Sequence, residues 1–298
     1  MNEKLLEKPK KKNNNRKDFN DMIHLVIDST SSLSAAFLEI HPNVHVIPLT
    51  IQIGGEYVPE NEATIKQVID YSEREKKAVP TSQPSTGDFL KLFSDIPQED
   101  PIIVICLTAA VSGTYNGAVL AARQSGRKNI TVINSKTTAI GMVEVLEDAL
   151  EFIDEGLSFE EISKKLLEVS ELTRTCFTAD TLDYLRRGGR IGKAAGLIGS
   201  ILKIKPVIYL NKDNEVDVLA KVRTTKKAVA AMMDFLHENS PCKRIGIVHI
   251  ENEEGGKALQ AKVQEEYPDI DVTLTTGTPV LAAYLGPGLI GIIFESAK

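Results

Sequence analysis

Short hydroxyl side chains gather in three loops of this sequence, each at a predicted strand end or helix start. One loop is "DST" (28–30), the second holds Thr81 and Ser82, and the third holds Ser112 and Gly113. A hydroxyl group, together with exposed backbone N–H groups at a helix N-terminus, can bind a carboxylate or a phosphate. Each hydroxyl can instead be a simple helix cap. The sequence leaves both interpretations open for each loop.

The second loop lies in "PTSQPSTGD" (80–88), where two prolines restrict the backbone. Ser85, with Asp88 three residues later, is the pattern of a capping box, so this pair is expected to start a helix. Thr81 and Ser82 come before that helix start, and capping does not account for them. They need another partner, which is either the backbone of their own turn or a ligand.

Arginine side chains surround two glycines in "YLRRGGRIG" (184–192). One interpretation is the end of a surface helix, because glycine terminates helices and arginine interacts favourably with the C-terminal end of the helix dipole. The other interpretation is that an arginine faces an anion. A Walker phosphate loop is excluded, because Ala194 follows Lys193 where that motif requires serine or threonine.

Two segments, 194–202 and 279–292, are rich in small and apolar residues. Small residues let a backbone approach its neighbour closely, which suits either a helix packed on a sheet or the wall of a long apolar ligand tunnel. No G-x-S-x-G motif occurs, and no histidines have the spacing of metal ligands. The chemistry of a self-sufficient enzyme is therefore not visible in the sequence.

The chain has 298 residues and a net charge of −6, which argues against nucleic acid as the main partner. Cys106 and Cys176 lie in apolar surroundings and are expected to be buried, and no C-x-x-C motif suggests a metal or disulfide framework. This cysteine usage fits a reducing, cytoplasmic location. No apolar run approaches the ~20 residues of a membrane span, so no stable membrane insertion is expected.

Strands and helices alternate in the first half of the chain, with apolar strands predicted at 22–28, 101–107 and 129–134. This order indicates an α/β domain whose parallel sheet is covered by helices on both faces. After about residue 170, a predicted hairpin with its turn at 212–215 is followed by mixed helices and strands. The second half is therefore expected to be an α+β domain.

These patterns divide the chain into three parts. Residues 1–21 are charged, lack the apolar region of a signal peptide and are predicted to form a disordered basic tail. The α/β domain is placed at 22–171 and the α+β domain at 172–298.

Five motifs in order resemble those of the DegV family of bacterial fatty-acid-binding proteins. The resemblance extends from about Ile23 to the C-terminus, and it implies two α/β-type domains with a fatty acid between them, no cofactor and no metal. It also implies a lipid-binding protein rather than an enzyme. The motifs are "VIDSTSSL" (26–33), "TSQPS" (81–85), "SGTYN" (112–116), "LRRGGRIG" (185–192) and "GPG" (286–288).

The same resemblance implies roles for individual residues. Thr81 and Ser112, with Ser82 and Gly113 beside them, are expected to bind the carboxylate of the fatty acid. Arg190 is expected to face the head group. The prolines of the second loop would then keep Thr81 in a fixed position toward an anion.

Tyr284 departs from the family pattern. The family usually has His-x-Gly-Pro-Gly near its C-terminus, whereas this chain has "YLGPG" (284–288), with Tyr284 in the position of the histidine. Tyrosine can donate a hydrogen bond but carries no positive charge near neutral pH. Tyr284 is expected to face the head group or a phosphate, and the change removes a possible cation for phosphoryl transfer.

A partner protein is also implied by the resemblance. Family members that act as the binding subunit of fatty acid kinase present the acyl chain to a separate ATP-dependent kinase subunit, which makes an acyl phosphate for phospholipid synthesis. Two alternatives remain open. One is an enzyme that acts on a small carboxylate or phosphorylated metabolite at the same loops, and the other is a regulatory partner protein.

Overall fold

The structure is a computed structural model that describes residues 22–197 and 204–298. The predicted basic tail, residues 1–21, lies outside the described residues. The predicted division at 171 and 172 falls in the last turn of a helix and stays a prediction. The fold class is confirmed, because a parallel sheet covered by helices is followed by a mixed sheet with its own helices.

Strands alternate with helices along most of the chain. The strands are β1 His24–Asp28, β2 Val44–Ile47, β3 Thr50–Ile53, β4 Glu56–Pro59, β5 Thr81–Ser82, β6 Ile102–Cys106, β7 Ile130–Asn134, β8 Thr173–Thr178, β9 Lys205–Leu210, β10 Val216–Val222, β11 Cys242–Ile250, β12 Thr273–Thr276 and β13 Leu289–Ser296. The α-helices are α1 Ala35–Ile40, α2 Ile65–Glu75, α3 Thr86–Asp95, α4 Thr114–Gln124, α5 Ile140–Asp154, α6 Phe159–Leu172, α7 Asp183–Arg187, α8 Thr225–Glu238, α9 Glu253–Glu266 and α10 Pro279–Leu285.

The first sheet is parallel throughout, in the order β2-β1-β6-β7. Its central strands are apolar on both faces because both faces are covered, which is typical of parallel sheets. Leu25 and Ile27 of β1 pack with α5 and α6 on one face. Val26 packs with α3 and α4 on the other. All carboxyl ends of these strands point to one edge, where ligands bind in open α/β sheets.

The second sheet has the order β10-β9-β8-β13-β11-β12 and is antiparallel except for the pair β11 and β12. The predicted hairpin is present as β9 and β10. One face of this sheet packs on α8 and α9. The other face turns toward α5, α10 and the first half of the chain.

A small third sheet, in the order β4-β3-β5, differs from the sequence-based expectation. The β-rich stretch 44–53 divides at Pro48 between the parallel sheet, to which β2 belongs, and this one, to which β3 belongs. Thr81 and Ser82 were placed in a loop, and they form β5 because their backbone pairs with Thr50 and Ile51 of β3. This backbone pairing holds Thr81 and Ser82 in place against β3.

Helix α5 joins the two large sheets through an ionic cluster. Asp148 of α5 is fully buried and accepts from Lys243 and Arg244 of β11, with the Arg244 contact at 3.0 Å. Glu295 of β13 is also buried. Burial disfavours its charge and the negative charge of Asp148 lies nearby, so the pKa of Glu295 rises from 4.5 to about 7.

The raised pKa of Glu295 predicts a pH dependence of stability. The neutral form is favoured in the folded state, so this contribution is present below pH 4.5 and is lost as pH rises through about 7. We expect Glu295→Gln to reduce the fall in unfolding free energy between about pH 5 and 8, measured by urea titration. Glu168→Gln, at an exposed position of α6, is the control. An unchanged slope in Glu295→Gln would contradict the assignment.

Candidate ligand-binding cavity

A cavity of about 330 Å³ lies between the parallel sheet and the second sheet. The first half of the chain contributes β5 and the loops that follow β6 and β7, so part of the wall is the carboxyl edge of the parallel sheet. The second half contributes the inner face of β8, β11 and β13, together with α10. The position agrees with the expectation that a ligand binds beyond the carboxyl ends of parallel strands.

Most of the wall is apolar. Segment 279–292, one of the two segments rich in small residues, supplies Val280, Leu281, Leu285 and Leu289. This placement favours the ligand-wall interpretation of that segment. In the other segment, 194–202, the part from 198 onward lies outside the described residues. Residues 192–197 form a 3-10 helix that is not part of the cavity lining.

Thr81 meets Tyr284 at the cavity. Their hydroxyl oxygens are 2.7 Å apart, which joins β5 of the small sheet to α10 of the second half. The hydroxyl of Thr81 therefore bonds to a side chain 203 positions away, a partner that the sequence did not reveal, and its role toward a ligand stays a prediction. The neighbouring Ser85 and Asp88 form the predicted capping box of α3.

Arg190 lies over the ring of Tyr284, with its guanidinium carbon 4.6 Å from the ring centroid. Its Nε donates to the backbone oxygen of Val111 at 3.2 Å, and its Nη1 donates to that of Gly188 at 2.7 Å. Helix α7 ends at Arg187 with Gly188 as its cap, as the first interpretation of the motif predicts. Arg190, two residues later, lines the cavity, and its role toward an anion stays a prediction. Arg190 is the one charged side chain among the described residues of the wall.

Ser112 follows Val111, so the third hydroxyl loop touches the same arginine. The hydroxyl oxygen of Ser112 accepts from the backbone N–H of Thr114 at 3.3 Å, at the start of α4. Ser112 therefore bonds to the first residue of α4 and lines the cavity at once, while Gly113 is the cap residue of that helix. The missing side chain of Gly113 leaves room for Gln83, because a Cβ there would lie 2.0 Å from Oε1 of Gln83 and that side chain would have to shift.

The structure thus brings all six predicted site residues to one cavity. The sequence analysis missed Gln83, although it lies between Ser82 and Pro84 in the quoted motif and its amide also lines the wall. The polar residues form a connected group, since Gln83 abuts the loop of Ser112 and Thr81 reaches Arg190 through Tyr284. The group comprises Thr81, Ser82, Gln83, Ser112, Gly113, Arg190 and Tyr284.

The first hydroxyl loop, 28–30, does not line the cavity among the described residues, so the ligand interpretation of that loop is not supported. This loop instead supports the cavity wall from behind, through a hydrogen bond to Leu107. Asp28 is fully buried and accepts from the backbone N–H of Leu107 at 2.7 Å and from Thr30. Burial raises the pKa of Asp28 to about 6.

A second hollow of about 370 Å³ adjoins the cavity. It lies between the glycine turn around Gly189 and the tip of the β9–β10 hairpin, and it shares Val111, Arg190 and Val216 with the cavity wall. Lys193 on its rim is paired with Glu215 at 2.6 Å. Arg190 therefore borders both spaces.

Metal ligation has no support in the part of the chain that the structure describes. No group of three or more His, Cys, Asp or Glu side chains within 22–197 and 204–298 could hold a metal ion. Over the same two ranges, we find no helix with the length and apolar character that crossing a bilayer requires.

Known proteins resemble this chain over nearly its whole length. A family model described as an uncharacterised protein of the DegV family matches residues 22–297. A DegV domain-containing protein of Staphylococcus aureus (strain COL) is 34% identical over 274 residues, which are 90% of this chain and 97% of that protein. The chain therefore belongs to the DegV family, and the resemblance read from its motifs is confirmed.

Two solved structures share the fold. A DegV family protein from Thermus thermophilus, described as fatty acid binding, has a TM-score of 0.84 at 28% identity, covering 92% of this chain and 99% of its own. DegV from Bacillus subtilis, described as a fatty acid binding protein, has a TM-score of 0.81 at 28% identity, covering 93% and 100%.

The close packing of Gly188 against Tyr284 gives a prediction about the site. A Cβ at residue 188 would lie 2.3 Å from Cδ1 of Tyr284. We expect Gly188→Ala to lower the unfolding free energy by about 1–3 kcal/mol, because the Tyr284 ring has to move away from its position beneath the Arg190 guanidinium. Urea unfolding measures the change. The control is Gly87→Ala, whose Cβ would meet nothing nearer than 3.5 Å. Equal stability of both variants would contradict the packing.

Proposed function

We propose that this protein binds one long-chain fatty acid in the cavity between its two large sheets. The observation that carries the proposal is the wall itself, which is apolar over most of its area and, among the described residues, has one cation beside a connected group of hydroxyls. An amphiphilic anion matches that arrangement. The two structural neighbours described as fatty acid binding support the same ligand class.

Energetics divide the work between the acyl chain and the head group. About 15 methylenes at ~0.8 kcal/mol each give roughly 12 kcal/mol of gross burial. A hydrogen bond to a charged group contributes about 1.5–3 kcal/mol. The chain therefore supplies most of the affinity, and the polar group fixes the orientation.

The carboxylate lies at the polar group. Thr81 and Ser112 donate their hydroxyl hydrogens to it, with Ser82 and the backbone at Gly113 beside them. Arg190 faces the head group from the side of the second hollow. Its planar guanidinium can contact two oxygens of one anion.

Tyr284 contributes a neutral hydrogen bond at this end. Its hydroxyl is hydrogen-bonded to that of Thr81, and with Tyr284 as the donor Thr81 keeps its own hydroxyl hydrogen for the carboxylate. A phenol has no cationic form, so Arg190 is the cation among the described wall residues for any phosphate formed there.

A kinase partner completes the proposal. The bound acyl carboxylate is phosphorylated by a separate ATP-dependent fatty acid kinase subunit, which reaches it through the hollow that Arg190 borders. The three cysteines are free in the structure, which suits the proposed reducing cytoplasm.

The alternative of an enzyme acting on a small metabolite lacks chemical support. Among the described residues of the wall there is no Asp, Glu or His to act as a general acid or base. The one thiol, Cys176, is held in its neutral form because burial raises its pKa to about 12. A binding protein fits these groups better than an enzyme.

Removing the two hydroxyls tests the binding site. We expect Thr81→Ala combined with Ser112→Ala to weaken palmitate binding about ten- to hundred-fold for each lost hydrogen bond to the carboxylate. Binding of the methyl ester should change much less, because it carries no charge. Displacement of a fluorescent fatty acid measures both ligands, with Ser94→Ala on the exposed face of α3 as control. Unchanged palmitate affinity in a folded double variant would show that the hydroxyls are only structural.

A substitution at Arg190 distinguishes binding of the fatty acid from its presentation to the kinase. We expect Arg190→Ala to leave acyl loading close to normal, because burial of the chain dominates affinity. Acyl-phosphate formation by a cognate kinase should fall strongly, because the developing phosphate charge loses its cation. Arg186→Ala, an exposed arginine paired with Asp183, is the control. Equal losses of loading and turnover would place Arg190 in the acyl site instead.

A further inference from the structure

Helix α10, which carries Tyr284, is held at both ends by the small third sheet. Near its C-terminal end, the hydroxyl of Tyr284 lies 2.7 Å from that of Thr81 in β5. Near its N-terminal end, the backbone N–H of Val280 donates to Oε1 of Glu60 at 2.8 Å. Glu60 follows β4 directly. The small sheet and the residue directly after its strand β4 therefore make hydrogen bonds to both ends of a helix that belongs to the other half of the chain.

Glu60 occupies a site built for a carboxylate. It is 2% exposed, and its second carboxylate oxygen accepts from the hydroxyl of Ser29. The oxygen of Ser29 in turn accepts from the backbone N–H of Leu49 at 2.9 Å. Burial raises the pKa of Glu60, while hydrogen bonds from Ser29, Thr278 and the Val280 N–H act in the opposite direction. A buried acid needs such partners, and here they come from two distant parts of the chain.

The first turn of α10 depends on this acid. The first N–H groups of a helix have no partner within the helix, and a negative charge there is favourable. Pro279 has no N–H, and the cap Thr278 receives only a 3.4 Å bond from Leu281. The N–H of Val280 is buried and bonds to Glu60. Loss of that bond would leave a buried donor unpaired, and the helix would have to move to reach another partner.

We propose that Glu60 is a positioning residue for the head-group end of the cavity. It acts indirectly, through its hydrogen bond to α10. It holds the helix at the position where Tyr284 meets Thr81 and lies below Arg190. Glu60 is not among the residues of the cavity wall, so it touches no ligand. The inference rests on the proposed function, since the head group is that of a fatty acid.

The test compares palmitate with its methyl ester. For the wild-type protein we expect a clear preference for the acid, measured as the ratio of the two dissociation constants. Glu60→Ala should reduce that ratio about three- to tenfold, because the Tyr284 and Thr81 hydroxyls lose their alignment. Glu60→Gln should keep most of it, because its amide oxygen still accepts from Val280. Glu62→Gln, an exposed acid in the same short 3-10 helix, is the matched control.

A second variant covers the case in which Glu60→Ala does not fold. Glu60→Asp keeps the charge but is one methylene shorter, so it withdraws the carboxylate from Val280 and should lose the acid preference in the same way. In the Tyr284→Phe background, neither Glu60→Ala nor Glu60→Asp should lower the preference for the acid further. The substitutions at residues 60 and 284 act through the same hydroxyl, that of Tyr284.

Two results would overturn the inference in different ways. If the wild type prefers the acid and the Glu60→Ala or Glu60→Asp protein keeps that preference, or loses affinity for acid and ester alike, the positioning role is wrong while fatty acid binding stands. If the wild type binds neither palmitate nor its ester, the proposed function fails and the positioning role fails with it.

Discussion

The rest of the site depends on how the guanidinium of Arg190 is held at the edge of an apolar cavity. A cation that is partly removed from water needs partners, and half-buried Arg190 has two backbone oxygens and one aromatic face. The glycine turn after α7 brings it there, and the absence of a side chain at Gly188 leaves room for the Tyr284 ring. Both halves of the chain have to be in place before this group is complete.

The elements around the site each serve that arrangement. The carboxyl edge of the parallel sheet supplies the loop of Ser112, which is held by the buried carboxylate of Asp28 through Leu107. The small sheet supplies Thr81 on one strand and Glu60 after another. Helix α5 fastens the two large sheets together behind the cavity through buried ions. The cavity is thus a consequence of how the sheets are joined.

Local patterns were enough to predict the parallel sheet, the hairpin and the capping box. Continuous apolar strands, a turn of polar residues and Ser85 with Asp88 are each determined by neighbours in sequence, and the structure has all three. The six site residues were inferred from family motifs, and the structure places all of them on one cavity. The hydroxyl pattern alone was ambiguous, and it included loop 28–30, which supports the wall from behind.

Long-range contacts account for what the sequence did not reveal. The partner of Thr81 is 203 positions away, and Glu60 meets Val280 across 220 positions. No local pattern marks an acid that caps a helix in the other half of the chain. The third sheet was missed for a related reason, because β5 has two residues and exists through its pairing with β3. Such features depend on packing between the two halves.

The central claim is that the cavity holds a fatty acid, and the most direct measurement is of the lipid itself. The purified protein is extracted with organic solvent, and the extract is analysed by mass spectrometry. The delipidated protein is then reloaded with palmitate and weighed by native mass spectrometry. The account predicts a long-chain fatty acid in the extract and one acyl chain per protein molecule after reloading. An extract without fatty acid, together with no stoichiometric uptake on reloading, would contradict it.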